Sequence, residues 1–204
     1  MKKSEAKHLR DKAAELYKLV RLSGLTYLPL HSDVDYAVQQ WRSDPSQFWS
    51  RTSIRCLCAA VEATLFAFRK MAEKMAVLSR IQFDSDEIEI LTEKRIVKKG
   101  GDQMTRPKFL PFQDSIKESF RLFAKAAGTT VIVDYGDDYL NLCKTFEVRN
   151  RLMHPKKPFD VEVNEDDMKA AGRGIIWFNT AYVGVIDQCH AHFGKNVEQF
   201  KKRN

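Results

Sequence analysis

The feature that most constrains this chain is an apolar stripe running unbroken through residues 46–80. Ile54, Leu57, Cys58, Val61, Leu65, Phe68, Ala72 and Met75 recur at steps of three and four, the spacing of one helical face. Such a stripe predicts a helix from Ser46 to Arg80, the longest helical pattern in the chain, with one face that other elements must cover. Arg51, Arg55, Glu62 and Arg69 gather along one flank of it. Glu62 has two readings. Either it pairs with Arg55 or Arg69 on the surface, for a few tenths of a kcal/mol, or it serves a polar cluster further along the chain.

The remaining segments are also mostly helical in pattern. Ser4 to Leu22 reads as an amphipathic helix closed by Ser23-Gly24, and Leu25 to His31 as a loop through Pro29. Asp33 suits the cap of a short helix ending near Arg42, and Asp44-Pro45 marks a boundary. Residues 81–112 are the least regular. Ser85 to Lys94 fits a helix capped by Ser85, while Ile88-Glu89-Ile90 and Ile96-Val97 also fit a hairpin. Lys94 to Lys108, rich in Lys and Arg around Gly100-Gly101, reads as a mobile basic loop, a solvated linker more than a nucleic-acid grip.

Asp114 to Ala127 follows as a helix stopped by Gly128, and Thr129 to Val133 as a β-branched extended run. Asp134 to His154 is helical, and Lys156 to Val163 is a connection. From Asn164 a last long helix runs to His192, with Gly172, Gly174 and Gly184 as places for another helix to approach closely. The end, Lys201-Lys202-Arg203-Asn204, reads as a frayed basic tail. Long helices on modest connections predict an all-α fold, an antiparallel up-and-down helical bundle in a single domain. Residues 46–192 form its core, 1–45 an N-terminal helical extension and 193–204 the tail.

An apolar share of 44% and a charged share of 30% exclude a disordered chain. A net charge of +7 favours polyanionic partners such as RNA. Cys56, Cys58, Cys143 and Cys189 show no paired metal-ligand spacing, and they read as reduced core thiols of a cytoplasmic protein without metal or cofactor. The most apolar window, Leu57 to Phe68, is interrupted by Glu62 and too short for a bilayer, so no membrane association is expected.

Polar groups interrupt the stripe of one helix. Tyr139, Leu142, Cys143, Phe146 and Met153 share a face, and Asn150 falls near its middle. Arg149 and His154 straddle that centre at roughly 60–75° to either side, while Arg151 and Lys144 point away. Pro155 forbids the helix from continuing and leaves His154 at its C-terminus. Each residue has a plain structural use: the histidine as a cap, the arginine laid on the core with its head in water, the asparagine bonded to backbone or at an interface.

Taken together, Arg149-Asn150-x-x-x-His154-Pro155 at a helix end, late in an all-helical chain, resembles the signature of the HEPN family. That signature is Arg, four to six residues, then His, commonly with Asn, Asp or His directly after the Arg. These are small helical domains, many of them metal-independent ribonuclease toxins or host-defence nucleases. The resemblance spans roughly Ser46 to His192. It implies a bundle core of about four helices, RNA as substrate, and Arg149, Asn150 and His154 as catalytic residues, with Glu62 and Arg55 as looser supporting positions. It also implies a homodimer whose motif helices meet across a two-fold axis, and an antitoxin or nucleotidyltransferase as a further partner. Family toxins that a partner enzyme modifies carry a tyrosine two residues after the histidine; here Lys156 departs from that pattern. The family also contains members without catalysis, so an RNA- or nucleotide-binding module is the chief rival. A helical dimer scaffold with a coincidental motif is a third reading.

Overall fold

A computed structural model describes residues 29–99 and 102–202, and they form an all-α helical bundle with one two-stranded sheet. The helices are α1 (29–43), α2 (Gln47–Ser79), α3 (Ser85–Thr92), α4 (Phe112–Ala126), α5 (Asp137–Met153) and α6 (Glu165–Lys202). A 3-10 turn, Pro158–Val161, joins α5 to α6, and strands β1 (Lys94–Lys99) and β2 (Asp102–Pro107) lie between α3 and α4. The helix expected over Ser4 to Leu22 lies outside the described residues. The stripe of α2 is buried as its periodicity requires, from Ile54 to Met75.

Several boundaries differ from expectation. Among the described residues the longest helix is α6, at 38 residues against 33 for α2, since it continues past His192 to Lys202; the end of the tail expected to fray lies outside the described residues. Asp33 lies inside α1 and caps nothing at its start, and Pro29 to His31 are already helical. The basic segment from Lys94, expected to be a loop, instead contains the antiparallel pair β1 and β2. Two β-capable runs either side of Gly100-Gly101 are a hairpin signal, and it outweighs the charge that suggested a loop.

The described residues divide into two compact units. One comprises residues 29–64 together with Val133–Gly184. In it α5 runs antiparallel to α2, since Arg55 meets Leu152 and Glu62 meets Arg149. It is likewise antiparallel to α6, since Arg151 meets Asp167 and Leu142 meets Gly174. A Cβ on Gly174 would lie 2.6 Å from the Leu142 Cα, so glycine is what lets these helices cross closely. A Cβ on Gly172 or Gly184, expected to serve the same way, would meet nothing within 4 Å among the described residues. Asn164 caps α6 by accepting from Asp167 N–H at 2.9 Å, while the Asp167 carboxylate accepts from Asn164 N–H at 3.3 Å, an arrangement worth about 1 kcal/mol. Trp177 packs on Tyr135 and Tyr139 and donates its indole N–H to Asp134 O at 2.7 Å.

The other unit comprises Leu65–Ile132 and α6 from Val185 on. Phe68 stacks on Phe123 at 4.1 Å and meets Phe120 edge-on at 5.7 Å. Asp84, not Ser85, caps α3, in a reciprocal box with Glu87. Of the run Thr129 to Val133 expected to be extended, residues 130–133 belong, with 134 and 135, to no helix or strand, and they pair with no strand among the described residues. The Gln188 amide takes a strand partner's place, accepting from Ile132 N–H at 2.9 Å and donating to its carbonyl at 3.0 Å.

Candidate functional site

The site grows from a change in which side of α5 is buried. Through its first turns Tyr139, Leu142, Cys143 and Phe146 are buried; beyond them burial passes to Val148 and Leu152, well round the helix. The face that held Tyr139 and Phe146 therefore emerges into solvent for its last turn, where Asn150, Met153 and His154 are all exposed. Met153, expected to continue the apolar stripe, is 53% exposed instead. A polar residue at position 150 follows from that emergence.

Arg149 sits at the edge of the transition, half-buried. Its guanidinium lies over the Phe146 ring at 5.3 Å, donates through Nη1 to Asn150 Oδ1 at 3.1 Å, and through Nη2 forms an ion pair with Glu62 Oε1. The partner of Glu62 is thus Arg149, neither Arg55 nor Arg69. Glu62 is about half exposed, so the pair is solvated and worth under about 1 kcal/mol. Arg55 reaches the same helix end, donating through Nη2 to Leu152 O at 3.5 Å, where α5 leaves carbonyls without helical partners.

His154 is the C-cap of α5, with φ −133° and ψ 60°, and its N–H donates to Asn150 O at 3.0 Å. Pro155 after it removes any continuation. Its imidazole is exposed and makes no hydrogen bond or ion pair with the described residues, so both ring nitrogens stand open to a ligand.

Arg151 does not simply point away. It donates to Asp160 O at 3.0 Å and to Glu162 O, and pairs with the buried Asp167 carboxylate at 2.5 Å, with Lys144 3.8 Å from the same group. These contacts tie the α5–α6 connection down and fix the chain that follows His154.

Cys58 lies behind Arg149 and is buried, its Sγ 4.0 Å from Thr145 O. Burial pushes its thiol up to about 12 despite the opposing Arg149 charge, so it is no nucleophile at neutral pH. Among the described residues no group of three or more His, Cys, Asp or Glu side chains is arranged to hold a metal ion.

The structure thus brings Glu62, Arg149 and Asn150 into one bonded chain, with Arg55 at the same helix end. His154 stands on the exposed last turn beside them, unbonded to the three side chains. Phe146, under the guanidinium, is the contributor that sequence reasoning missed, although its spacing of three from Arg149 was a signal for it. Together these groups can present a fixed guanidinium, an amide and a titratable imidazole to a solvent-borne phosphodiester. No protein-family model, curated protein or solved structure matches the chain.

Proposed function

We propose that the chain is a metal-independent endoribonuclease of HEPN type, a cytoplasmic homodimer acting as a toxin or host-defence nuclease. The observation that carries this reading is the exposed polar end of α5, where Arg149 is positioned by Glu62, Asn150 and Phe146 beside an open His154. In the reaction the 2′-hydroxyl loses its proton, its oxygen attacks phosphorus, the P–O5′ bond breaks and the 5′-oxygen takes up a proton. The products are a 2′,3′-cyclic phosphate and a 5′-hydroxyl. Arg149 forks onto phosphate oxygens as their charge grows, Asn150 orients it, and His154 transfers a proton. One imidazole serves as acid or base, not both at once. A second copy related by a two-fold axis supplies the other, and the exposed Met153 beside the site offers apolar surface for that contact.

The test is cleavage of RNA by purified protein in EDTA, with Arg149→Ala and His154→Ala beside the wild type. Cleavage by wild type alone, with cyclic-phosphate ends, supports the reading; equal cleavage by all three overturns it. One observation favours a second reading, a non-catalytic RNA- or nucleotide-binding module: Glu62 already neutralises Arg149. RNA binding by all three proteins with no cleavage by any would select that module.

A further inference from the structure

We propose that the β1–β2 hairpin is a grip for the phosphate backbone of RNA, in addition to the α5 site. Its ligand class rests on the reading that the chain acts on RNA; the hairpin's charge does not. From Lys94 to Pro107 the sequence carries Lys94, Arg95, Lys98, Lys99 and Arg106 against the single acid Asp102. Its excess of four positive charges is more than half of the chain's net +7.

The register sharpens this. Arg95 is directly opposite Arg106, and both are exposed. Like charges facing each other across a ladder destabilise it, so this pair weakens the hairpin unless an anion lies against it. Among the described side chains, which do not include that of Asp102, no carboxylate pairs with Lys94, Arg95 or Arg106. The acids at the hairpin's root are taken by other cations: Glu89 by Lys108 at 2.8 Å, and Glu93 by the buried Arg69. Lys108 N–H also donates to Glu93 O at 2.9 Å, closing the base of the ribbon.

The result is a pinned, strongly cationic arm ~20 Å long. It contains no aromatic residue to stack on bases or to anchor a protein interface. Phosphates, spaced along a strand and read without regard to sequence, are the partner that suits it.

The experiment is fluorescence anisotropy of a labelled 2′-O-methyl RNA, which cannot be cleaved, across a salt series with the full chain. Arg95→Gln with Arg106→Gln should weaken binding about tenfold and flatten the log–log salt slope by about 1.4, two phosphate contacts on a single strand. Circular dichroism should be unchanged. A control removing equal charge from exposed positions elsewhere, Arg42→Gln with Lys169→Gln, should bind as wild type. Equal losses in both variants, no loss in the hairpin variant, no RNA binding by wild type, or equal binding of polyglutamate would each overturn the proposal. Cleavage of ordinary RNA is read alongside. Loss of binding in the hairpin variant with no His154-dependent cleavage sinks the nuclease and keeps the grip; His154-dependent cleavage with unaltered hairpin binding does the reverse.

Discussion

Two arginines, Arg69 and Arg149, each bonded to a glutamate, sit in opposite surroundings. Arg69 is buried, with Nη1 donating to the Ser115 and Ser119 hydroxyls at 3.0 Å each and Nη2 paired with Glu93. Burial pushes its pKa down and the Glu93 charge opposes that. Glu93 itself adopts a left-handed φ of 54°, an uncommon conformation for a side-chain-bearing residue, as the C-cap of α3. The bonds around Arg69 therefore join α2 to α4 and to the root of the hairpin, and an incoming ligand meets no open guanidinium. Arg149 has the same partner type and one amide, but its glutamate is half exposed and the helix end beside it is open. Water screens that pair, so separating Glu62 from Arg149 costs little. Burial separates a structural arginine from one available for binding; the ion pair alone does not.

The largest effect that sharpens this contrast is on cleavage. His154→Ala should lower the rate about 10²- to 10⁴-fold, the share typical of a proton-transfer group. Its melting temperature should stay at the wild-type value, because the exposed imidazole supports nothing. Parallel losses of activity and melting temperature would break the contrast.

Next is Arg69→Leu, expected to destabilise the protein by about 3 kcal/mol in urea unfolding. The low end of the buried-pair range applies because Glu93, left behind, is a third exposed. An effect below about 1 kcal/mol would place Arg69 among the surface pairs.

Acid should act on the same unit as Arg69. Glu87 is buried, which opposes its ionisation, but hydrogen bonds from Lys125 at 2.6 Å, from Arg121 at 2.9 Å and from Asp84 N–H outweigh this. Its carboxyl is held at about 2, against 4.5 unperturbed. A depressed pKa contributes stability in full above the unfolded value, and that contribution is lost as pH falls through the folded one. About 3 kcal/mol should therefore disappear between roughly pH 5 and pH 2. Urea melts over that range should show a flatter slope in Glu87→Gln.

Glu62→Gln should change stability by under about 1 kcal/mol. If the Glu62 carboxylate competes with phosphate for Arg149, this variant should bind 2′-O-methyl RNA a few-fold more tightly. Weaker binding would make Glu62 a residue that holds Arg149 in place for its ligand.

Much of the fold was readable from the residues. The stripe of α2, the α4 stop at Gly128 and the Asn164 start of α6 all follow from local rules of periodicity and capping, which need no knowledge of distant chain. The hairpin is less legible: Ile88-Glu89-Ile90, a possible partner for Ile96-Val97, is helical in α3, and β1 pairs instead with Asp102–Pro107, a run whose charge suggests solvent. Its register depends on cross-strand partners, and its footing on Arg69, which lies 24 residues before Glu93.

The α5 site divides in the same way. The sequence by itself determined that Arg149, Asn150 and His154 share the end of one helix and that Pro155 closes it, since a 3.6-residue repeat and a missing N–H are properties of the local chain. Only the tertiary structure decided that burial leaves the Phe146 side for Val148 and Leu152, that Glu62 pairs with Arg149, and that Arg151 is committed to Asp167. Which face of a helix is covered, and which carboxylate comes within reach of a guanidinium, depends on elements that are distant in sequence and meet only once the helices have packed.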